Sequence, residues 1–285
     1  MITGATGQYG KVVIEELIEK GINKNCIYGL VRDKSKAESL KYLGINIVLG
    51  DYNDYDSLIF AFSSIHKLLF VSSGELQNRT EQHLKVINAA KESDIKHIVY
   101  TSQIHKAVSP TSPMNFVMES HLATEKAIIK SNMNYTILRN GLYLDMLPHF
   151  LGKKVIENGL FIPAGQGKIA FTLRSELAQS AANILISEEH KNKIYDICGE
   201  AVSFLEIASI IYQISNKNIT YVSPDIDTFI KMTVDSGIPI EQAKMIGSFA
   251  LAAQQGELES KNPNVNYFLG RNATSVQEFL EKIYK

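Results

Sequence analysis

The chain has 285 residues, 45% hydrophobic and 21% charged, with 29 basic against 30 acidic side chains for a formal net charge of −1. That length can build one large core or a core with a smaller companion, and the balanced charge supplies no long-range field for capturing nucleic acid. Cys26 and Cys198 make neither a disulfide framework nor a metal set, and both read as buried thiols.

Met1 runs straight into a glycine motif without the basic and apolar regions of a signal peptide. No apolar run is long enough to cross a bilayer, so a cytoplasmic protein with no membrane partner is expected. MITG at 1–4 reads as a very short strand. The run over 8–20 is helix-like, with Val12, Val13, Leu17 and Ile18 on one broad face. Residues 26–31 then read as a buried strand, 34–43 as a helix and 45–50 as a strand. A helix over 55–63 leads into a strand at 67–73, and a longer helix over 78–93 into a strand at 96–102. A helix over 115–131 and a strand at 135–138 follow. Short apolar strands alternating with helices predict a doubly wound α/β fold, a mostly parallel Rossmann sheet covered on both faces.

Past Asn140 the alternation weakens. GLFIPAG and KIAFT look like short strands, 176–187 like a helix and 194–199 like another strand. A helix over 204–214, a strand in NITYVS and helices over 229–235 and 240–254 complete the pattern. The expected division is a dinucleotide-binding domain at 1–150 and a smaller α/β substrate lobe at 151–285, with some of the latter's segments returning to the Rossmann core. Such a lobe covers the carboxyl ends of the strands, where open α/β sheets bind ligands.

Gly4-Ala5-Thr6-Gly7-Gln8-Tyr9-Gly10 places glycines three apart between a strand and an amphipathic helix. Gly4 and Gly7 permit a tight turn and close backbone approach to a pyrophosphate. Gly10 permits close helix–strand packing, and the free amides of the helix start face the anion. The next strand ends in Arg32, which suits a 2′-phosphate and points to NADP(H); the adjacent Asp33 leaves NAD(H) open at lower affinity. Asp51 is expected near the adenine edge, and Ser72 and Ser73 along the cofactor path.

These features, read with VINAAKESDIKHIVYTS at 86–102, YTILRNGLYLDM at 135–146, GQGKIAFTLRSELA at 165–178 and YDICG at 195–199, resemble the NmrA-like group of atypical short-chain dehydrogenases/reductases. The likeness covers almost the whole chain, with a first strand a couple of residues shorter than usual in the family. It implies a cofactor wall of Gly4 to Gly10, Arg32, Asp51, Ser72, Ser73, Asn140 and Gly141, with Tyr143 and Arg174 near the outer pocket. Members reduce quinones or dyes, and some relatives bind cofactor as regulatory sensors.

Ordinary short-chain dehydrogenases use a Tyr-x-x-x-Lys pair, the lysine depressing the pKa of a tyrosine that donates a proton. Here Ser102 remains, but the comparable helix reads His121-Leu122-Ala123-Thr124-Glu125, with Lys126 one position out of register. A quinone asks less of the protein than a ketone, because its conjugated ring takes hydride directly and yields a delocalised anion. The expected function is therefore NADPH-dependent reduction of a quinone-like electrophile, with positioning dominant and His121 or His105 assisting proton delivery. Reduction of azo or triarylmethane dyes and a non-catalytic NADP-binding sensor are the alternatives. The spacing of the histidines suggests no metal site. The frequency of twofold assemblies leaves a homodimer open, with no sequence stripe marking its surface.

Overall fold

The computed structural model describes residues 1–106, 111–152 and 154–285. Its central sheet comprises β1 Tyr28–Val31, β2 Asn46–Leu49, β3 Lys67–Phe70, β4 His97–Gln103 and β5 Asn134–Asn140, with Lys193–Ile197 as a later addition. All these pairings are parallel. The opening MITG segment contributes one ladder residue: Ile2 bridges Gly29 on one side and Leu69 on the other. That residue joins the two halves of the sheet, giving the order β2, β1, Ile2, β3, β4, β5 and the added strand. The strand order reverses at Ile2, so the carboxyl end of this segment is the switch-point crevice of a doubly wound fold.

The period-two alternation of each strand assigns its side chains to two cores. Leu69, Val99 and Leu138 enter one core, built with α1 Gln8–Glu19 and a helix at Arg174–Ile186. Their neighbours Leu68, Phe70, Ile98, Tyr100 and Ile137 face the opposite core. There α3 Tyr55–Phe62 packs on α4 Arg79–Glu92, which packs on α5 Asn115–Lys130; α2 is the single turn Glu38–Lys41. Burial on both faces explains why these strands read as continuous apolar runs.

The second lobe hangs from the carboxyl end of β5. There β6 Leu142–Tyr143 pairs in parallel with β8 Lys168–Thr172, and β10 Ala201–Ser203 pairs antiparallel on the other side of β8. A separate pair joins β7 Leu160–Phe161 to β11 Tyr221–Val222; the added central strand, Lys193–Ile197, is β9. Short helices α6 Leu147–Leu151 and α7 Val155–Asn158 precede α8 Arg174–Ile186. They are followed by α9 Phe204–Ser215, α10 Ile226–Asp235, α11 Ile240–Gln254, α12 Val265–Leu269 and α13 Val276–Tyr284. The lobe has its own apolar core, in which Phe150, Phe204 and Phe249 meet. In contrast, α8, β9 and α12 contribute Leu177, Ile197 and Phe268 to the Rossmann core.

Two local expectations are corrected. Cys26 is exposed and lies in a 3₁₀ turn, Lys24–Cys26, because the Asn23 side chain accepts the Asn25 amide and delays the strand to Tyr28. The helix expected over 34–43 begins as a 3₁₀ turn, Lys34–Ala37, capped by Asp33 through the Ser35 amide, and only then becomes α2. Among the described residues no helix is long and apolar enough to cross a membrane.

Candidate functional site

Gly4 adopts φ +57°, the left-handed region natural to glycine, and turns the chain out of the sheet. A Cβ on Gly10 would stand 2.5 Å from the Gly4 carbonyl oxygen, so α1 packs onto the turn at a distance no side chain permits. Gly7 is the N-cap of α1, with no side chain capping it, and its own amide closes the turn onto Gly4 at 2.9 Å. Among the described residues, the amides of Ala5, Thr6, Gln8, Tyr9 and Gly10 have no backbone acceptor. Thr6, Gly7 and Gln8 are exposed, whereas Ala5, Tyr9 and Gly10 are buried. The Tyr9 hydroxyl is committed to the Leu177 carbonyl at 3.1 Å, so this residue offers the crevice only its backbone. An uncapped helix start with unpaired amides fits a phosphate group.

At the end of β1, Arg32 is exposed and forms no ion pair among the described residues. Asp33 accepts the Ser35 amide at 2.8 Å and is held as an anion below the ordinary carboxylate range by that residue's hydrogen bonds. The cap occupies one oxygen of the carboxylate that would favour a ribose without a phosphate. Asp51 likewise folds onto its own loop, accepting the Asn53 amide at 2.8 Å. Beyond β3, the Ser72 amide donates to Thr101 Oγ1 and the Ser73 amide to His83 Nε2, at 2.9 and 3.0 Å. The two serines are thus fixed by their backbones.

At the end of β5, Asn140 is 3% exposed; among the described residues neither its Oδ1 nor its Nδ2 makes a well-formed hydrogen bond, and the amide approaches the Tyr9 hydroxyl without closing one. A buried amide without well-formed hydrogen bonds is costly. Its paired donor and acceptor match those of a carboxamide, the polar group on a nicotinamide ring. Gly141 has a different reason to be glycine: a Cβ there would lie 2.5 Å from the Ala170 carbonyl oxygen, so the residue lets the second lobe's strands cross. The Tyr143 ring lies 4.5 Å beneath the guanidinium carbon of Arg174, whose amide donates to Asp145. Burial raises the Tyr143 hydroxyl pKa above its ordinary value, against the pull of Arg174 and Arg79.

The helix position where Tyr and Lys were missing is filled by a buried ion pair. Arg139 grips Glu125 through Nε at 3.1 Å and Nη2 at 2.6 Å, and Ser102 donates its hydroxyl to Glu125 Oε1 at 2.6 Å. Burial opposes the Glu125 charge, but these donors and the approach of His105 outweigh it and hold the carboxyl at about 2. Ser102 is therefore engaged by a carboxylate. His105 Nδ1 faces the Lys106 carbonyl at 2.9 Å, which places a proton on Nδ1. Its Nε2 has no hydrogen-bond partner and stands 3.8 Å from Glu125 Oε1.

His121, one turn before Glu125, is 3% exposed and locked on both ring nitrogens. Arg79 Nη2, which can only donate, meets Nε2 at 3.0 Å, so the proton resides on Nδ1 and is donated to the Tyr100 hydroxyl at 2.8 Å. The same logic fixes His83: its Nε2 accepts from Ser73, so Nδ1 donates to Thr124 Oγ1 at 2.8 Å. Burial, then the nearby Arg79 charge, pushes His83 down to about 3 and His121 well below its ordinary range. Both rings are neutral at physiological pH. The structure thus brings Ser102 and His105 together around Glu125 and places His121 in a separate buried network.

Sequence reading missed Arg79 and Arg139. Arg79 carried a legible signal: it opens a helix, where its charge opposes the positive end of the helix dipole. Among the described residues no group of three or more His, Cys, Asp or Glu could hold a metal ion.

The NmrA-like family model matches residues 1–280. Quinone oxidoreductase 2 of Escherichia coli is 34% identical, over 99% of this chain and 98% of the relative. A structure of NADPH-dependent quinone oxidoreductase from that organism, complexed with NADPH, superposes with a TM-score of 0.89 at 33% identity, covering 100% of this chain and 99% of the other. Citrobacter sp. triphenylmethane reductase complexed with NADP(H) gives 0.90 at 32% identity, covering 99% and 98%. The doubly wound α/β fold, the extent of the family match and these full-length likenesses agree: the chain belongs to the NmrA-like family.

Proposed function

We propose that this protein is an NADPH-dependent oxidoreductase that reduces quinones by direct hydride transfer. The observation that carries the reading is the Asn140 amide, buried at the carboxyl end of β5 without a well-formed hydrogen bond among the described residues. It lies in the same sheet whose opening turn presents uncapped amides for a pyrophosphate. Support for NADPH comes from the unpaired Arg32, from Asp33 being used as a cap, and from the ligands of the two solved relatives. Support for a quinone comes from the E. coli relative.

When bound, the reduced nicotinamide supplies the hydride, and the protein's task is placement. Amides of the first turn would hold the phosphates, Arg32 would take the 2′-phosphate and Asn140 would orient the carboxamide. The second lobe closes over the strand ends and excludes water from the acceptor. Among the described residues the site has no free tyrosine–lysine pair to protonate an alkoxide, which suits an acceptor whose anion is already delocalised. Of the two candidate histidines, His105 carries the proton-delivering role. Its Nε2 has no hydrogen-bond partner among the described residues and stands 3.8 Å from the Glu125 carboxylate. His121 has both nitrogens engaged.

Triarylmethane dyes form the second reading, favoured by the Citrobacter likeness. Stopped-flow oxidation of NADPH with 1,4-benzoquinone, a naphthoquinone, an azo dye, a triarylmethane dye and no acceptor tests both. Quinone-dependent oxidation is expected. Oxidation by dyes alone would select the second reading, and tight NADPH binding without turnover in any arm would make the protein a sensor.

A further inference from the structure

Arg79 is the first residue of α4 and is 6% exposed. Among the described residues it has no carboxylate within ion-pairing distance. Its one hydrogen bond goes to neutral His121, and its Nε is buried without a partner. An unpaired buried cation is expensive, and the positive end of a helix dipole makes it more so. The paired arginines show the contrast: Arg139 grips Glu125, and Arg271 meets Glu176 at 2.7 Å. Among the described residues no ion pair uses the charge of Arg79. The guanidinium is nevertheless aimed firmly, because His121 is itself fixed by Tyr100 on β4.

Its position points to the acceptor end of the crevice. The helix it opens follows the carboxyl end of β3, and its charge is felt by Tyr100 on β4 and by Tyr143 on β6. Tyr143 stands three residues past Asn140, beneath Arg174. The pyrophosphate turn, by contrast, opens α1 on the opposite face of the sheet, away from the α4–α5 layer.

We propose that Arg79 is the counter-charge for the acceptor's developing oxyanion, and that it sets a preference for carbonyl acceptors over cationic ones. This rests on the reading of the chain as a quinone reductase. A quinone that accepts a hydride, two electrons and one proton, from the reduced nicotinamide forms one new bond to hydrogen. The displaced π pair settles on its oxygen as the cofactor is oxidised. That anion would lie beside Arg79 until it takes a proton from His105 or water, giving the hydroquinone. A triarylmethane cation accepting the same hydride becomes neutral and develops no oxyanion; the buried cation opposes its entry.

The test uses the full chain with NADP⁺ and 4-nitrophenol, whose ionised form absorbs visible light, so no turnover is needed. Bound nitrophenol is expected to ionise about one pH unit below the free phenol. This displacement should be lost in Arg79→Met and largely kept in Arg79→Lys. With NADPH, the ratio of benzoquinone to malachite green kcat/KM is expected to fall roughly 100-fold in Arg79→Met, the effect of removing one oxyanion donor. Arg79→Met is also expected to melt no lower than wild type, since an uncompensated buried charge is gone. Unshifted nitrophenol ionisation in wild type and Arg79→Lys would overturn the assignment, as would a loss of NADPH affinity in Arg79→Met matching the loss of quinone turnover. Absence of quinone turnover in wild type with the nitrophenol shift intact would instead refute the underlying quinone reading.

Discussion

Replacing Glu125 by Gln preserves the shape of the side chain and removes the charge that Arg139 and Ser102 hold. The wild-type carboxyl sits at about 2 against an ordinary value of 4.5. At about 1.4 kcal/mol per tenfold preference, its ionised form contributes about 3 kcal/mol to folding at neutral pH. The residue is only 4% exposed, so solvent screening removes little of this. Glutamine resembles the protonated acid, and Glu125→Gln should lower stability at pH 7 by about 3 kcal/mol, roughly 5–10 °C in melting temperature for a chain of this size. A depressed carboxyl stabilises fully above its unfolded-state value and loses that effect as pH falls toward its folded value. The gap between wild type and variant should therefore be constant above pH 4.5 and close progressively toward pH 2. Thermal unfolding by circular dichroism across pH 3–8 reads this directly. Equal stability at pH 7, or a gap that does not narrow in acid, would refute the ion-pair account.

Arg32→Ala is expected to weaken NADPH binding roughly 10- to 100-fold, the worth of a lost charge-assisted pair, with much less effect on NADH. Calorimetry with both cofactors checks it, and equal losses would remove the selectivity role. Gly10→Ala drives a Cβ to 2.5 Å from the Gly4 carbonyl oxygen; the turn must move, and NADPH affinity should fall about 100-fold as amide–phosphate contacts are lost. His105→Phe should lower quinone kcat by about 100-fold with NADPH affinity retained. His121→Phe, which leaves Arg79 without its acceptor, should act first on stability, by about 1–3 kcal/mol in denaturant unfolding.

The alternating apolar runs made the Rossmann half legible, because strands buried on both faces leave a strong signal. Boundaries were less readable where side chains rewrite the backbone: Asn23 and Asp33 tighten their segments into 3₁₀ turns, which moved one strand start and exposed Cys26. The glycine turn was legible since Gly4 and Gly10 are dictated by local geometry. Gly141 was legible as a constrained position but for a different reason, contact with Ala170 on a strand distant in sequence. The catalytic side was least readable. His121 and His105 look alike in the sequence, and only the hydrogen bonds of His121 to Arg79 and Tyr100, against the open Nε2 of His105 near Glu125, separate a locked ring from an available one. Arg139 lies on a strand whose pairing with the α5 carboxylate no periodicity announces.

Every role assigned to the strand-end residues requires the uncapped turn at Gly4–Gly10 to seat a dinucleotide. Isothermal titration of the unmodified chain with NADPH, without acceptor, addresses that claim alone. One site per chain, with weaker heat for NADH, is the expected result; no heat with either cofactor would contradict it.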